Sequence, residues 1–199
     1  MNKLHMNDHI KTSHLNSLLD KVIRWVRLRK IVGHIPDGAV VCDVGCGENA
    51  FFLRSIAPKI SRGYGFDIKI KSFEDHGLKI SEYDVQGVIP LADQSVHIVT
   101  LLAVLEHLSH PREILKEIFR VLKPGGKLLL TAPTPLAKPI LEFLAFRLHL
   151  IDEAEIRDHK AYFWREDLIR MLTEAGFLSQ NLKHSYFELY CNNDVVAQK

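Results

Sequence analysis

Asp43-Val-Gly45-Cys46-Gly47-Glu-Asn49-Ala50 sets an acid, two glycines and a small residue at the junction between an apolar run from Val40 and an apolar-periodic stretch. Such a segment reads as a strand, a tight loop and a helix N-terminus near Asn49. Gly45 and Gly47 leave no side chain where a ligand must approach the backbone, and the helix start aims free N–H groups at the same point. The chemistry implied is the holding of a nucleotide-like cofactor.

The glycines do not say which cofactor, because Gly45-x-Gly47-x-x-Ala50 also satisfies a dinucleotide fingerprint. Asp43 discriminates. A dinucleotide would bring its anionic pyrophosphate close to this carboxylate, and like charges repel in a partly desolvated cleft. An acid here suits a ligand with positive charge, and S-adenosylmethionine has an ammonium and a sulfonium. Arg62-Gly-Tyr-Gly-Phe-Asp67 reads as a second strand, with Asp67 24 residues past Asp43, close to the spacing at which an acid meets a ribose. Its carboxylate can accept from both ribose hydroxyls.

On these residues the chain resembles the class I S-adenosylmethionine-dependent methyltransferases, especially the small type 11 group, over about 40–199. The matching pieces are Asp43-Val-Gly-Cys-Gly47, Gly65-Phe-Asp67, and Asp84 followed by Ile89-Pro-Leu-Ala-Asp-Gln-Ser95. Ala103-Val-Leu-Glu-His-Leu108, Leu122-Lys-Pro-Gly-Gly126 and Asn193-Asp-Val-Val-Ala-Gln-Lys199 follow in the family's order. The resemblance implies cofactor contacts at Asp43, Gly45, Cys46, Gly47, Asn49, Asp67, Ile68, Asp84, Val85 and Leu102. Two positions depart from the pattern. Asn49 stands at the usual third glycine and tolerates a left-handed backbone better than most residues, so the turn can survive there. His97 replaces an acid, read as a change at the rim.

The elements that must position these residues alternate in type. A helix is expected over about 15–36, strands over 39–44 and to Asp67, and a helix over 50–57 between them. A short strand over 79–83 and the nearly continuous apolar run Val96–Leu102 follow, the latter as expected of a strand covered on both faces. Pro111 opens a helix to Leu122, Pro124-Gly125 supplies a turn, and a strand runs over 127–132. Residues 165–175 form an amphipathic helix stopped by Gly176, and 178–198 offers two more strands. This rhythm predicts a parallel α/β sheet. The resemblance makes it a Rossmann-like three-layer sandwich with a seven-stranded, mostly parallel sheet of order 3-2-1-4-5-7-6 and an antiparallel strand 7.

A chain of 199 residues with 47% hydrophobic content and no linker-like stretch predicts one domain, with 1–14 a flexible leader and 134–162 a substrate-side cap. Net charge of +2 gives no reason to expect nucleic acid, and the basic cluster 21–30 fits a solvated helix face, with a nucleic-acid or anionic-membrane patch as the alternative. Without an 18-residue apolar span or a cleavable signal, a soluble cytoplasmic protein without membrane insertion is expected. Three cysteines without paired spacing exclude a disulfide framework. His5, His9 and His14 form a row in the leader, but no metal is expected. Residues 136–151 are apolar on more than one face, which suits a buried or dimer-contact helix, a substrate lid or a membrane-surface contact.

Methyl transfer from a sulfonium asks little acid–base chemistry, since the leaving thioether is neutral; alignment alone is worth up to roughly 7–11 kcal/mol. A base matters only for an unionised hydroxyl or a charged amine. His107, after the fourth strand, and His159, in Asp158-His-Lys-Ala-Tyr162, are the candidates. The expected activity is methyl transfer to a small molecule, at oxygen by preference, with a homodimer open. A non-catalytic cofactor-binding subunit and an NAD-linked oxidoreductase stand as alternatives.

Overall fold

The structure is a computed structural model that describes residues 28, 30–149, 151 and 153–199. The leader and most of the expected N-terminal helix lie outside the described residues. The end of that helix is seen at residues 30–32, where Ile31 buries its side chain, as Ile35 does just beyond. Lys30, from the basic cluster, lies 3.4 Å from Asp194 and over the Phe187 ring.

Eight strands form one sheet, β1 (Val40–Val44), β2 (Arg62–Asp67), β3 (Phe73–Asp75), β4 (Leu78–Glu82), β5 (Val96–Leu102), β6 (Leu122–Pro133), β7 (Leu182–Phe187) and β8 (Asn192–Gln198). Their order is β3-β4-β2-β1-β5-β6-β8-β7. The run from β4 to β6 is parallel, while β8 pairs antiparallel with β6 and β7 antiparallel with β8. This is the predicted order with one addition. Strand β3, three residues long, pairs antiparallel on the outer edge of β4; it is too short for an alternation pattern to show.

Both faces of the sheet are covered. On one face α2 (Pro111–Val121) and α5 (Arg165–Ala175) pack on Cys42, Val44, Val99, Leu101, Leu128 and Leu130. Helix α2 buries Ile114, Leu115, Ile118 and Val121, and α5 buries Leu168, Met171, Leu172 and Ala175, both at helical spacing. Each such side chain stabilises by roughly 1.5–3 kcal/mol. Gly176, at φ 116°, stops α5 as expected and donates its N–H to Thr173. On the other face α1 (Phe51–Ile56) and the N-terminal helix end cover Val41, Ile98 and Leu129.

Two expectations need correction. Strand β6 begins five positions before 127 and includes Pro124-Gly125; the pair makes a bulge, with the register to β5 shifting between Val96 and Ile98. Residues 136–151 do not form a fully buried helix. Within them α3 (Ala137–Phe146) buries only Ala137 and Ala145, while Leu136, Ile140, Phe143 and Leu148 are about half exposed. The short α4 (Glu153–Arg157) follows, with Arg157 over the Phe146 ring. Among the described residues no helix is long and apolar enough to cross a membrane.

Candidate active site

The C-terminal ends of β4, β2, β1 and β5 lie side by side, the edge where open α/β sheets bind ligands. Asp43 is 3% exposed, and Thr100, its cross-strand partner on β5, donates a hydrogen bond of 2.6 Å to Asp43 Oδ1. Burial pushes the Asp43 carboxyl up to about 7, against the Thr100 hydrogen bond and with help from the nearby Asp67 charge. A carboxylate held at such cost is a strong attractor for a cation.

Next in the chain, Gly45 and Cys46 both donate their N–H groups to Phe66 O, at 2.8 and 3.1 Å, which folds the loop over the end of β2. Gly45 has φ 75°, and a Cβ there would collide with the Val104 side chain after β5. Gly47, at φ 71°, has open space where a Cβ would project, and its N–H donates to Asp67 Oδ2 at 2.8 Å. Asp67 Oδ1 accepts the Lys69 N–H at 2.8 Å, so the carboxylate is fixed beside the glycine loop. The left-handed residue before α1 is Ala50, at φ 45°, and not Asn49. Ala50 is fully buried in the α1-side core, and packing its methyl there offsets the backbone strain.

The remaining expected contacts line the same edge. Ile68 is 62% exposed beside Asp67, an apolar face available to a flat ring. Asp84 is exposed and Val85 buried just past β4, where Tyr83 donates its N–H to Asp67 O. Leu102, partly buried, ends β5. Burial and the charges of Asp43 and Asp67 push the Cys46 thiol up to about 12, so it stays protonated and serves packing. His97 is at the far, N-terminal end of β5, where its Nδ1 accepts the Val40 N–H at 2.9 Å, a strand-to-strand tie away from the ligand edge.

His107 and His159 meet. Their rings stack edge to face at 4.8 Å, although one lies in the turn after β5 and the other in the segment returning from the cap. His107 Nδ1 lies 3.0 Å from Asp158 Oδ2, and His159 Nδ1 lies 3.1 Å from the Tyr162 hydroxyl. Asp158 therefore holds His107, not its sequence neighbour. Burial, with the adjacent His107, lowers His159 to about 4, so the ring is neutral at physiological pH and a weak proton acceptor. Glu106, 1% exposed, lies in the same cluster.

Backbone ties hold the two segments together. Lys160 donates its N–H to Glu106 O and its Nζ to Ser109 Oγ, at 2.8 and 3.0 Å. Further along, Asn193 on β8 is buried and donates from Nδ2 to Ala132 O and Phe163 O, at 3.1 and 2.9 Å. Thr100, Glu106, Asp158, Tyr162 and Asn193 are the site residues that sequence reasoning missed. Thr100 left one signal, a hydroxyl inside an otherwise apolar strand. The others depend on contacts between distant segments.

The donor set fits S-adenosylmethionine: a buried acid for an ammonium, a glycine opening beside an acid for a ribose, and an exposed apolar side chain for a ring. Comparisons with known proteins agree. The family described as a methyltransferase domain matches residues 16–179, and this chain belongs to that family, within the class I S-adenosylmethionine-dependent methyltransferases. The tRNA U34 carboxymethyltransferase of Desulfotalea psychrophila is 33% identical over 173 residues, covering 80% of this chain and 51% of that protein. The ubiquinone biosynthesis O-methyltransferase of Idiomarina loihiensis is 29% identical over 168 residues, covering 77% and 68%. The chain thus spans about half the length of the first of these relatives. A solved S-adenosylmethionine-dependent methyltransferase from Archaeoglobus fulgidus shares the fold, with a TM-score of 0.66 at 20% identity over 87% of this chain and 92% of that one.

Proposed function

We propose that this protein transfers a methyl group from S-adenosylmethionine to a small-molecule acceptor, at oxygen. The observation that supports it most is the pairing of buried Asp43 with Asp67 around one glycine loop: the first suits a cation and the second a ribose. A pyrophosphate would meet Asp43 with like charge, which disfavours the NAD-linked alternative.

In this reading Asp43 holds the methionine ammonium. Gly45, Cys46, Gly47 and Asn49 form the loop, Asp67 takes the ribose hydroxyls, and Asp84 the adenine amine between Ile68, Val85 and Leu102. The bound cofactor supplies an electrophilic methyl group and a neutral leaving thioether. The protein's share is alignment, and the His107 and His159 side of the cleft faces the acceptor. Residues 134–162 form the cap over it. The exposed apolar side chains of α3 suit a lipophilic or ring-bearing acceptor, and the relative named for ubiquinone biosynthesis is an O-methyltransferase. No nucleic acid is required by this reading; the tRNA-modifying relative makes tRNA a counter-probe.

Calorimetric titration with S-adenosylhomocysteine tests the cofactor, with NADH and Asp67→Ala as controls. Micromolar binding that the substitution abolishes is expected. A signal with NADH and silence with S-adenosylhomocysteine would overturn the reading.

A further inference from the structure

Glu106, His107 and His159 come together where β5 ends and the cap returns, and the methyl-transfer reading leaves the chemistry of that cluster open. One ligand atom from each of the three lies within 4.8 Å of the others. Glu106 is buried, and both imidazoles are partly buried. The turn holding Glu106 and His107 and the segment holding His159 are far apart in the chain, and the Lys160 N–H to Glu106 O bond clamps them together. Val104, two positions before Glu106, packs against Gly45, so the cluster sits next to the cofactor loop.

Two imidazoles and one carboxylate on one side of a cleft form a donor set for divalent transition ions that leaves positions open to substrate. The outer contacts are of the matching kind. Asp158 Oδ2 at 3.0 Å from His107 Nδ1 places that ring's proton on Nδ1 and the lone pair on Nε2. The Tyr162 hydroxyl, 3.1 Å from His159 Nδ1, can accept from the second ring in the same way.

We propose that Glu106, His107 and His159 bind one divalent transition-metal ion on the acceptor side of the cleft. Ligands about 2.0–2.2 Å from an ion stand roughly 3 Å apart when adjacent, so the cluster closes by side-chain rotation on loading. The two imidazoles favour zinc, cobalt, nickel or iron over manganese, magnesium or calcium. The proposal rests on the methyl-transfer reading and narrows its acceptor to one whose hydroxyl reaches the ion. Such a hydroxyl is acidified and gives its proton to solvent. An oxygen lone pair then forms the bond to the methyl carbon as the carbon–sulfur bond breaks, and sulfur keeps the electrons of the broken carbon–sulfur bond as a neutral thioether.

Co2+ is the probe. Full-length protein freed of metal by a chelator is titrated with Co2+ under visible absorption, and S-adenosylhomocysteine binding is measured on the same samples. One equivalent bound at micromolar concentration is expected, weakened at least roughly tenfold in His159→Gln and in Glu106→Gln. Asp158→Ala, which acts through His107, should weaken it about 10- to 100-fold. The combined His5→Ala, His9→Ala and His14→Ala variant should bind Co2+ unchanged. Retained S-adenosylhomocysteine affinity in His159→Gln shows that this variant is folded. Loss of that affinity in the parent protein would sink the methyltransferase reading whatever Co2+ does. Absence of Co2+ binding, or binding that survives His159→Gln or vanishes with the N-terminal histidines, overturns the metal site.

Discussion

Asp43→Asn should make the protein without ligand more stable while weakening its hold on the cofactor. The side chain is 3% exposed, and Asn keeps an Oδ1 that can accept the 2.6 Å hydrogen bond from Thr100. Packing and that bond therefore survive, and the charge alone is removed. Burial raises the carboxyl from 3.8 to about 7. At 1.36 kcal/mol per pH unit, the ionised form costs about 4 kcal/mol at most well above pH 7. Between about pH 4 and pH 7 the folded protein holds a proton that the unfolded chain has released, so this residue makes stability fall as pH rises through that window. Urea unfolding of the two proteins at pH 5, 6, 7 and 8 should show the Asn variant gaining steadily, with most of the advantage reached by pH 8. Calorimetry should show the opposite trend in binding. Loss of a charge-assisted hydrogen bond to the ammonium, about 1.5–3 kcal/mol, weakens S-adenosylhomocysteine roughly 10- to 150-fold. Binding to the wild type near pH 6 should also release a fraction of a proton, since a cationic partner favours the ionised acid. A variant no more stable than wild type at pH 8 would refute the buried-charge argument. Undiminished affinity would remove Asp43 from the ammonium.

Other perturbations test other parts of the site. Truncating Phe143 and Phe146 to Ala should raise the acceptor KM and leave S-adenosylhomocysteine affinity alone; equal loss of both in steady-state and calorimetric assays would sink the lid. Asn193→Ala removes the Nδ2 bonds to Ala132 O and Phe163 O, and should lower unfolding free energy by about 1–3 kcal/mol. An unchanged urea midpoint would show that the tie between β8 and the cap return is idle. Maleimide at pH 8 should label native protein at Cys191 alone, because Cys42 and Cys46 are buried and held as thiols. Labelling of Cys46 at a comparable rate, read by mass spectrometry, would contradict its placement.

The grouping of Asp43, the glycine loop and Asp67 at one edge of the sheet was legible because its geometry is local. Gly45 and Gly47 can take the left-handed turns that the loop needs within a few residues of Asp43, and Asp67 falls at the end of the neighbouring strand at a fixed chain distance. Helices α2 and α5 were equally readable, because proline starts the first, glycine stops the second, and one apolar stripe runs along each. Where the reading slipped, a tertiary contact had overridden a local preference. Asn49 tolerates a left-handed backbone better than Ala50, yet core packing assigns the strain to the alanine. Pro124-Gly125 looks like a turn, yet it is drawn into β6 by pairing with the chain end, where Gly125 donates its N–H to Lys199 O. In α3 composition suggested burial, yet only Ala137 and Ala145 are buried and Phe143 faces outward.

The histidine half of the candidate site was legible only in part: His107 and His159 stood out in the sequence, but their meeting and the parts of Glu106, Asp158 and Tyr162 did not. Glu106 and His107 are bound to their sequence position after β5, but Asp158, His159 and Tyr162 reach them only because the chain crosses the sheet, leaves through α3 and α4, and returns. Bonds that fix that return include Lys160 to Glu106 and Ser109, Phe163 N–H to Pro133 O, and Asn193 to Phe163. Each of these bonds joins residues whose separation along the chain carries no pattern. The consequence is a division of labour within one edge of the sheet. The loop after β1 is built from residues whose identity is dictated by backbone geometry and ligand charge, so it can be read residue by residue. The histidine cluster is set by a clamp of backbone and side-chain hydrogen bonds, so the residues between α3 and Asp158 can vary in sequence while His159 still arrives beside His107.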